Sequence, residues 1–115
     1  MWIFTRSGFA SIVEHRDDHS NVLIRARVQR DLQGILERYV DRPCSVISNE
    51  GTDYPFRAVI SKDKLRQLLH RSVDDLVYDN FKAAIRTSEG DDRGVRSEIY
   101  GNVWAELLGL EELNG

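Results

Sequence analysis

Apolar and polar side chains alternate with period two along residues 22–28, with Val22, Ile24, Ala26 and Val28 on one side and Arg25 and Arg27 on the other. That pattern predicts a half-buried β-strand. Phe56, Ala58 and Ile60 alternate with Arg57 in the same way and predict another. Residues 2–5 and 8–14 are aromatic and β-branched around Gly8, and read as a strand or bent pair with Phe9, Ser11 and Val13 on one side. Residues 44–48 are expected to add one more strand.

The period changes to that of a helix over Leu32, Ile35, Leu36 and Tyr39, and again over Leu65, Leu68, Leu69 and Val73. Asp31 is expected to cap the first of these helices and Ser61 the second. A third helix with Phe81, Ala84 and Ile85 is expected to start at Asp79 or Asn80. A fourth carries Ile99, Tyr100, Val103, Trp104, Leu107 and Leu108, with Trp104 expected in the core and Trp2 at least partly buried. Pro43 should end the first helical segment, residues 89–92 should break the third helix, and the tail from Gly109 should fray. The order ββα-ββα-αα implies one α+β domain over residues 1–115. It would be a two-layer sandwich, a four-stranded, mainly antiparallel sheet with helices on one face.

The two ββα segments resemble each other. Aligning residues 25–31 with 57–63 and 32–41 with 65–74 gives eight identities, among them Arg25/Arg57, Ala26/Ala58, Asp31/Asp63 and Leu32/Leu65. Such self-similarity is the signature of an internal duplication, expected to superpose about a pseudo-twofold axis.

Composition narrows the function classes. With 41% hydrophobic and 30% charged residues the chain has ordinary globular composition, which argues against disorder. A net charge of −3 gives no global field for nucleic acid or membrane, so any basic site is local. No apolar run approaches the ~20 residues of a spanning helix. The start of the chain does not read as a secretory signal, and a single cysteine, Cys44, allows no intrachain disulfide. Both suit a cytoplasmic protein. Thirteen of the sixteen basic residues are arginines, the cation suited to bidentate anion recognition.

The alternation then has a chemical consequence. If the apolar residues of the strands face the helices, Arg25, Arg27 and Arg57 lie on the open sheet face, with Phe4, Phe9 and Tyr54 as the nearby aromatics. Basic and aromatic sheet faces bind single-stranded nucleic acid. Glu14 is a candidate to neutralise the arginines internally. Two segments are chemically dense. Residues 51–57 bring Asp53 and Tyr54 beside Arg57, and residues 77–82 bring Tyr78 beside Asn80 and Lys82. A pocket, if the chain has one, is expected between them.

No metal set, cofactor motif or catalytic constellation is legible. His15 and His19 sit in a polar loop without a third ligand, Cys44 has no base placed beside it, and the doublets Asp74-Asp75 and Asp91-Asp92 read as helix boundaries.

Taken together, Trp2-Ile3-Phe4-Thr5, Gly8-Phe9, Arg25-Ala26-Arg27, residues 51–55, residues 78–82 and Tyr100 with Val103-Trp104 resemble a group of short bacterial and phage proteins without an established activity. The resemblance covers nearly the whole chain. It implies a bacterial or phage cytoplasmic protein and transfers no catalytic residue. The reading that follows is a non-catalytic accessory or binding protein acting through a protein partner, without a cofactor or membrane. The alternative is nucleic-acid or nucleotide binding through the arginine-bearing face.

Overall fold

The computed structural model describes residues 1–42, 44–88 and 90–115, so the expectations placed on Pro43 and Glu89 lie outside the described residues. The chain divides into two compact units, Met1–Leu76 and Val77–Gly115. The architecture is α+β, with an antiparallel open sheet of five strands and four helices among the described residues.

In the first unit, β1 (Trp2–Thr5) and β2 (Gly8–Glu14) form a hairpin, followed by β3 (Asn21–Ala26) and helix α1 (Gln29–Tyr39). Then come β4 (Ile47–Ser48), β5 (Phe56–Ser61) and helix α2 (Lys62–Ser72). Strand order across the sheet is β1-β2-β3-β5-β4. The expected four strands are therefore five, because the turn at Arg6 and Ser7 splits the N-terminal run into a true hairpin. In that turn the Thr5 hydroxyl accepts the Ser7 N–H at 3.1 Å. Of the strand expected over 44–48 only Ile47 and Ser48 pair with β5.

Period two sorts the sheet as expected as far as Ala26, where β3 ends. Arg27 and Val28 lie past the strand, and Val28, expected to face the core, is exposed because it leads into α1. Ala10, Ile12, Val22, Ile24, Ala26, Ala58 and Ile60 are buried and meet Leu32, Ile35, Leu36 and Tyr39 of α1 and Leu68 of α2. The α2 stripe is narrower than its sequence suggests. Leu68 is fully buried, Leu65 packs against the core, but Leu69 and Val73 are exposed. Ser61 caps α2 as expected, its hydroxyl accepting the Lys64 N–H at 3.1 Å.

Asp31 does not cap α1. The helix starts at Gln29 after an extended Val28 with no side-chain cap. The Asp31 carboxylate turns instead to the sheet and accepts the Phe9 N–H at 3.1 Å, in a residue only 3% exposed. That contact needs Gly8, whose φ is +144° and where a built Cβ would lie 2.3 Å from Asp31 Cγ.

A second pin joins the end of the unit to α1. Arg38 donates to both Asp75 oxygens, at 2.6 and 2.8 Å, and the buried Tyr39 donates its hydroxyl to the same carboxylate. Asp75 was legible only as half of an acidic doublet. The Arg38 hydrogen bond, with Tyr39 adding to it, holds its carboxyl at about 2, below the ordinary 3.8. A carboxyl whose folded-state pKa is depressed stabilises the protein above its ordinary pKa, and that stability is lost as the pH falls through the folded value. We expect Asp75→Asn to flatten the acid limb of the stability curve between pH 3.8 and about 2. The effect is capped at about 1 kcal/mol because Arg38 is solvated. Denaturant titrations across that range check this, and an unchanged acid limb would count against the pin.

In the second unit, Asn80 caps α3 (Phe81–Arg86) by accepting the Ala83 N–H at 2.9 Å. Helix α4 (Arg93–Leu107) follows and continues as a 3-10 run, Leu108–Asn114, where a frayed tail was expected. Phe81 and Tyr100 stack with ring centroids 5.9 Å apart. Trp104 is not a core residue, since it is 53% exposed. Tyr100 stacks on Phe81 of α3, whereas Trp104, one turn further along the same side, has its ring under Lys82 Nζ at 4.1 Å. Trp2 is 64% exposed.

Candidate functional site

The antiparallel register builds the site. Trp2 pairs with Ser11, Ser11 with Arg25, Arg25 with Arg57, and Arg57 with Ile47. Because partners in register share a face, these five side chains form one row across the face opposite the helices. Arg25 and Arg57 meet on neighbouring central strands, as directly opposed like charges. Phe4 and Phe9 form the adjacent pair on the same face.

The aromatics are continuous. Trp2 meets Phe9 edge-on at 5.7 Å, Phe4 stacks on Phe9 at 4.6 Å, and Phe9 lies 6.5 Å from Tyr54. Tyr54 reaches this cluster from the turn before β5. Gly51 takes a positive φ of 85°, and the Asn49 N–H bonds the Pro55 carbonyl at 2.6 Å, closing the turn. The Asp53 carboxylate accepts the Tyr54 N–H at 3.0 Å.

Tyr54 organises the cations. The guanidinium carbons of Arg25 and Arg27 lie 4.7 and 4.8 Å from its ring centroid, within cation–π range. Arg25 also donates to the Ser11 hydroxyl at 2.8 Å, while its Nε is buried with no hydrogen-bond partner among the described residues. Arg57 Nε donates to the Tyr54 carbonyl at 3.0 Å, and its Nη2 is 3.9 Å from Asp53 Oδ1. Among the described residues that loose contact is the one carboxylate contact of the three arginines. Glu14 is engaged elsewhere, at 2.6 Å from Lys62 Nζ and 2.8 Å from His19 Nδ1.

Arg25, Arg27, Arg57, Asp53 and Tyr54 are thus brought together. Tyr78, Asn80 and Lys82 belong to the C-terminal unit, where each makes local contacts. Asn80 caps α3, Tyr78 lies 5.7 Å from the Phe81 ring, and Lys82 covers Trp104. Sequence reasoning did not place Trp2 on the arginine face. The register that does so follows from the two-residue turn at Arg6 and Ser7. His15 accepts the N–H groups of Asp17 and Asp18 and so shapes its own loop. Cys44 packs against the core.

No family model, curated protein or solved structure matches the chain. No helix among the described residues is long and apolar enough to cross a membrane.

Proposed function

We propose that this chain is a non-catalytic binding protein whose open sheet face holds single-stranded nucleic acid. The observation that carries the reading is the pair of guanidiniums, Arg25 and Arg27, gathered on Tyr54 with no carboxylate against them among the described residues. Two like charges set side by side without counter-charge repel each other, and an anionic ligand removes that cost. Trp2 and Phe9 supply π-faces in the same cluster, and base stacking is worth ~1–3 kcal/mol per base. Phosphates on the arginines with bases over the aromatic strip is the arrangement expected of a strand-tracking surface.

The test is a titration with a fluorescent single-stranded oligonucleotide at several salt concentrations. Three arginine–phosphate contacts predict a log–log salt slope of about −2. Arg27→Ala with Arg57→Ala is expected to weaken binding about tenfold or more and to flatten that slope, with the fold intact by circular dichroism. An absence of oligonucleotide binding at low salt sinks the reading.

A protein partner is the second reading. It is favoured by Trp2, Ile47, Val13 and Val59, which are exposed apolar residues on the same face. We also read the β2–β3–α1 and β4–β5–α2 segments as one duplicated unit. The central placement of β3 against β5, with Arg25 opposite Arg57, supports this. The unequal settings of Asp31, buried, and Asp63, exposed and paired with Arg66, weigh against it. The motif resemblance to short bacterial and phage proteins points to a cytoplasmic protein of that origin.

A further inference from the structure

We infer that the open sheet face holds two consecutive nucleotides of a single strand, with their backbone along the end of β3 and their bases turned towards β1. The inference rests on the nucleic-acid reading above and adds the size and direction of the ligand.

The face is built in levels along the strands. Antiparallel register sets Trp2, Ser11, Arg25 and Arg57 in one row, and Val13, Leu23 and Val59 in the next. On the other side of the first row Phe9 stacks with Phe4, and Arg27 joins them across Tyr54 from the bend after β3. Two levels therefore carry both guanidinium and ring. One has Arg27 with Phe9 and Phe4, the other Arg25 and Arg57 with Trp2. The level of Val13, Leu23 and Val59 is exposed at both valines, yet it offers no cation to a phosphate and no ring to a base.

At the opposite end the sheet stops. Past Arg27 the chain enters α1 at Gln29 and carries Arg30 onto that helix. Arg6, in the turn beyond Phe4, adds to the positive charge that holds the Asp75 carboxyl down.

Cations and rings are also separated sideways. The three guanidiniums come from β3, the bend after it and β5, whereas Trp2, Phe4 and Phe9 belong to β1 and β2. A backbone laid across the strands would carry its phosphates off the cations and onto the rings. Laid along β3, it keeps them on the arginines and turns each base onto a ring. Levels two residues apart are ~7 Å apart, about twice the ~3.4 Å rise of a stacked strand, which suits bases splayed onto separate rings. Two nucleotides within a strand are bounded by three phosphates, matching the three arginines. Asp53 offsets only Arg57, at 3.9 Å.

The test compares thymidine oligonucleotides of two and twelve nucleotides, phosphorylated at both ends, as competitors of the fluorescent strand. It is run at about 0.15 M salt, where charges more than ~8 Å apart are screened. The longer strand can place two nucleotides in about ten ways, so the shorter is expected to bind within about thirtyfold of it. Removing both end phosphates from the short ligand should weaken it at least about tenfold. Trp2→Ala, at a residue 64% exposed, should weaken both lengths by the same factor, at least about fivefold. A gap wider than about thirtyfold overturns the inference. So does indifference to the end phosphates, or a Trp2→Ala loss that is absent or confined to the longer strand. Those results leave the face a nucleic-acid site, whereas a twelve-nucleotide strand that does not bind overturns both readings.

Discussion

Gly8→Ala is expected to destabilise the protein by about 2–5 kcal/mol, with a fall of about 10 °C or more in Tm. Two effects add. A φ of +144° is one that residues with a side chain rarely adopt, and the new methyl would sit 2.3 Å from Asp31 Cγ and 2.7 Å from its Oδ2. Moving the carboxylate aside breaks its bond to the Phe9 N–H and leaves a buried donor without a partner. The two positions are therefore coupled. In an Asp31→Gly background, which removes the Cβ 2.5 Å from the new methyl as well as the carboxylate, the clash disappears, and Gly8→Ala should cost at least about 1 kcal/mol less than it does alone. A double-mutant cycle by urea denaturation measures this. Additive costs would mean that the clash is relieved by some other movement.

The second large effect separates two adjacent leucines. Leu68→Ala is expected to cost about 2–5 kcal/mol, whereas Leu69→Ala should cost less than about 1. Leu68 is fully enclosed between α2 and the sheet, while Leu69 is 37% exposed. Leu68 is also the one wholly buried side chain of α2, so its loss loosens the helix as a unit. Equal costs for the two variants would show that α2 is rotated relative to the packing described.

These two leucines illustrate where sequence reading reaches and where it stops. Alternation assigned β3 and β5, and the faces of Arg25 and Arg57, because period two leaves only two directions; Arg27 lies just past the end of β3. Helical periodicity assigned α1 and α2 but not the width of their stripes. Leu65, Leu68, Leu69 and Val73 are all compatible with one apolar face, and only the packing of the helix on its neighbours decides which are covered. Trp104 misled for a related reason. An aromatic among leucines on a helix marks an apolar surface, not the partner that covers it. Asp31 had the residue type of a cap, but its carboxylate is used across the chain by Phe9, a contact 22 residues away that no local rule detects. Asp75 reaches Arg38 and Tyr39 over a still longer separation, 37 and 36 residues.

The site was half legible. Arg25 and Arg57 followed from alternation, while Arg27 joins them from the bend after β3, over the Tyr54 ring. Tyr54 needed the turn at Gly51 to bring it over the sheet, and Trp2 needed the hairpin register. The absence of a carboxylate against Arg25 and Arg27 among the described residues is a property of distances and has no signature in composition, since the chain carries acids enough to neutralise every arginine on that face.

The outline of the sheet bears on how the protein behaves in a crowded solution. Its two outer strands are brief, four residues in β1 and two in β4, whereas the strands between them run to six or seven. Fibril growth recruits chains edge to edge, and a long flat border is what seeds it. Here the adhesive surface and the recruiting border are kept apart. The face can stay aromatic and apolar, while the margins are too short to template another strand.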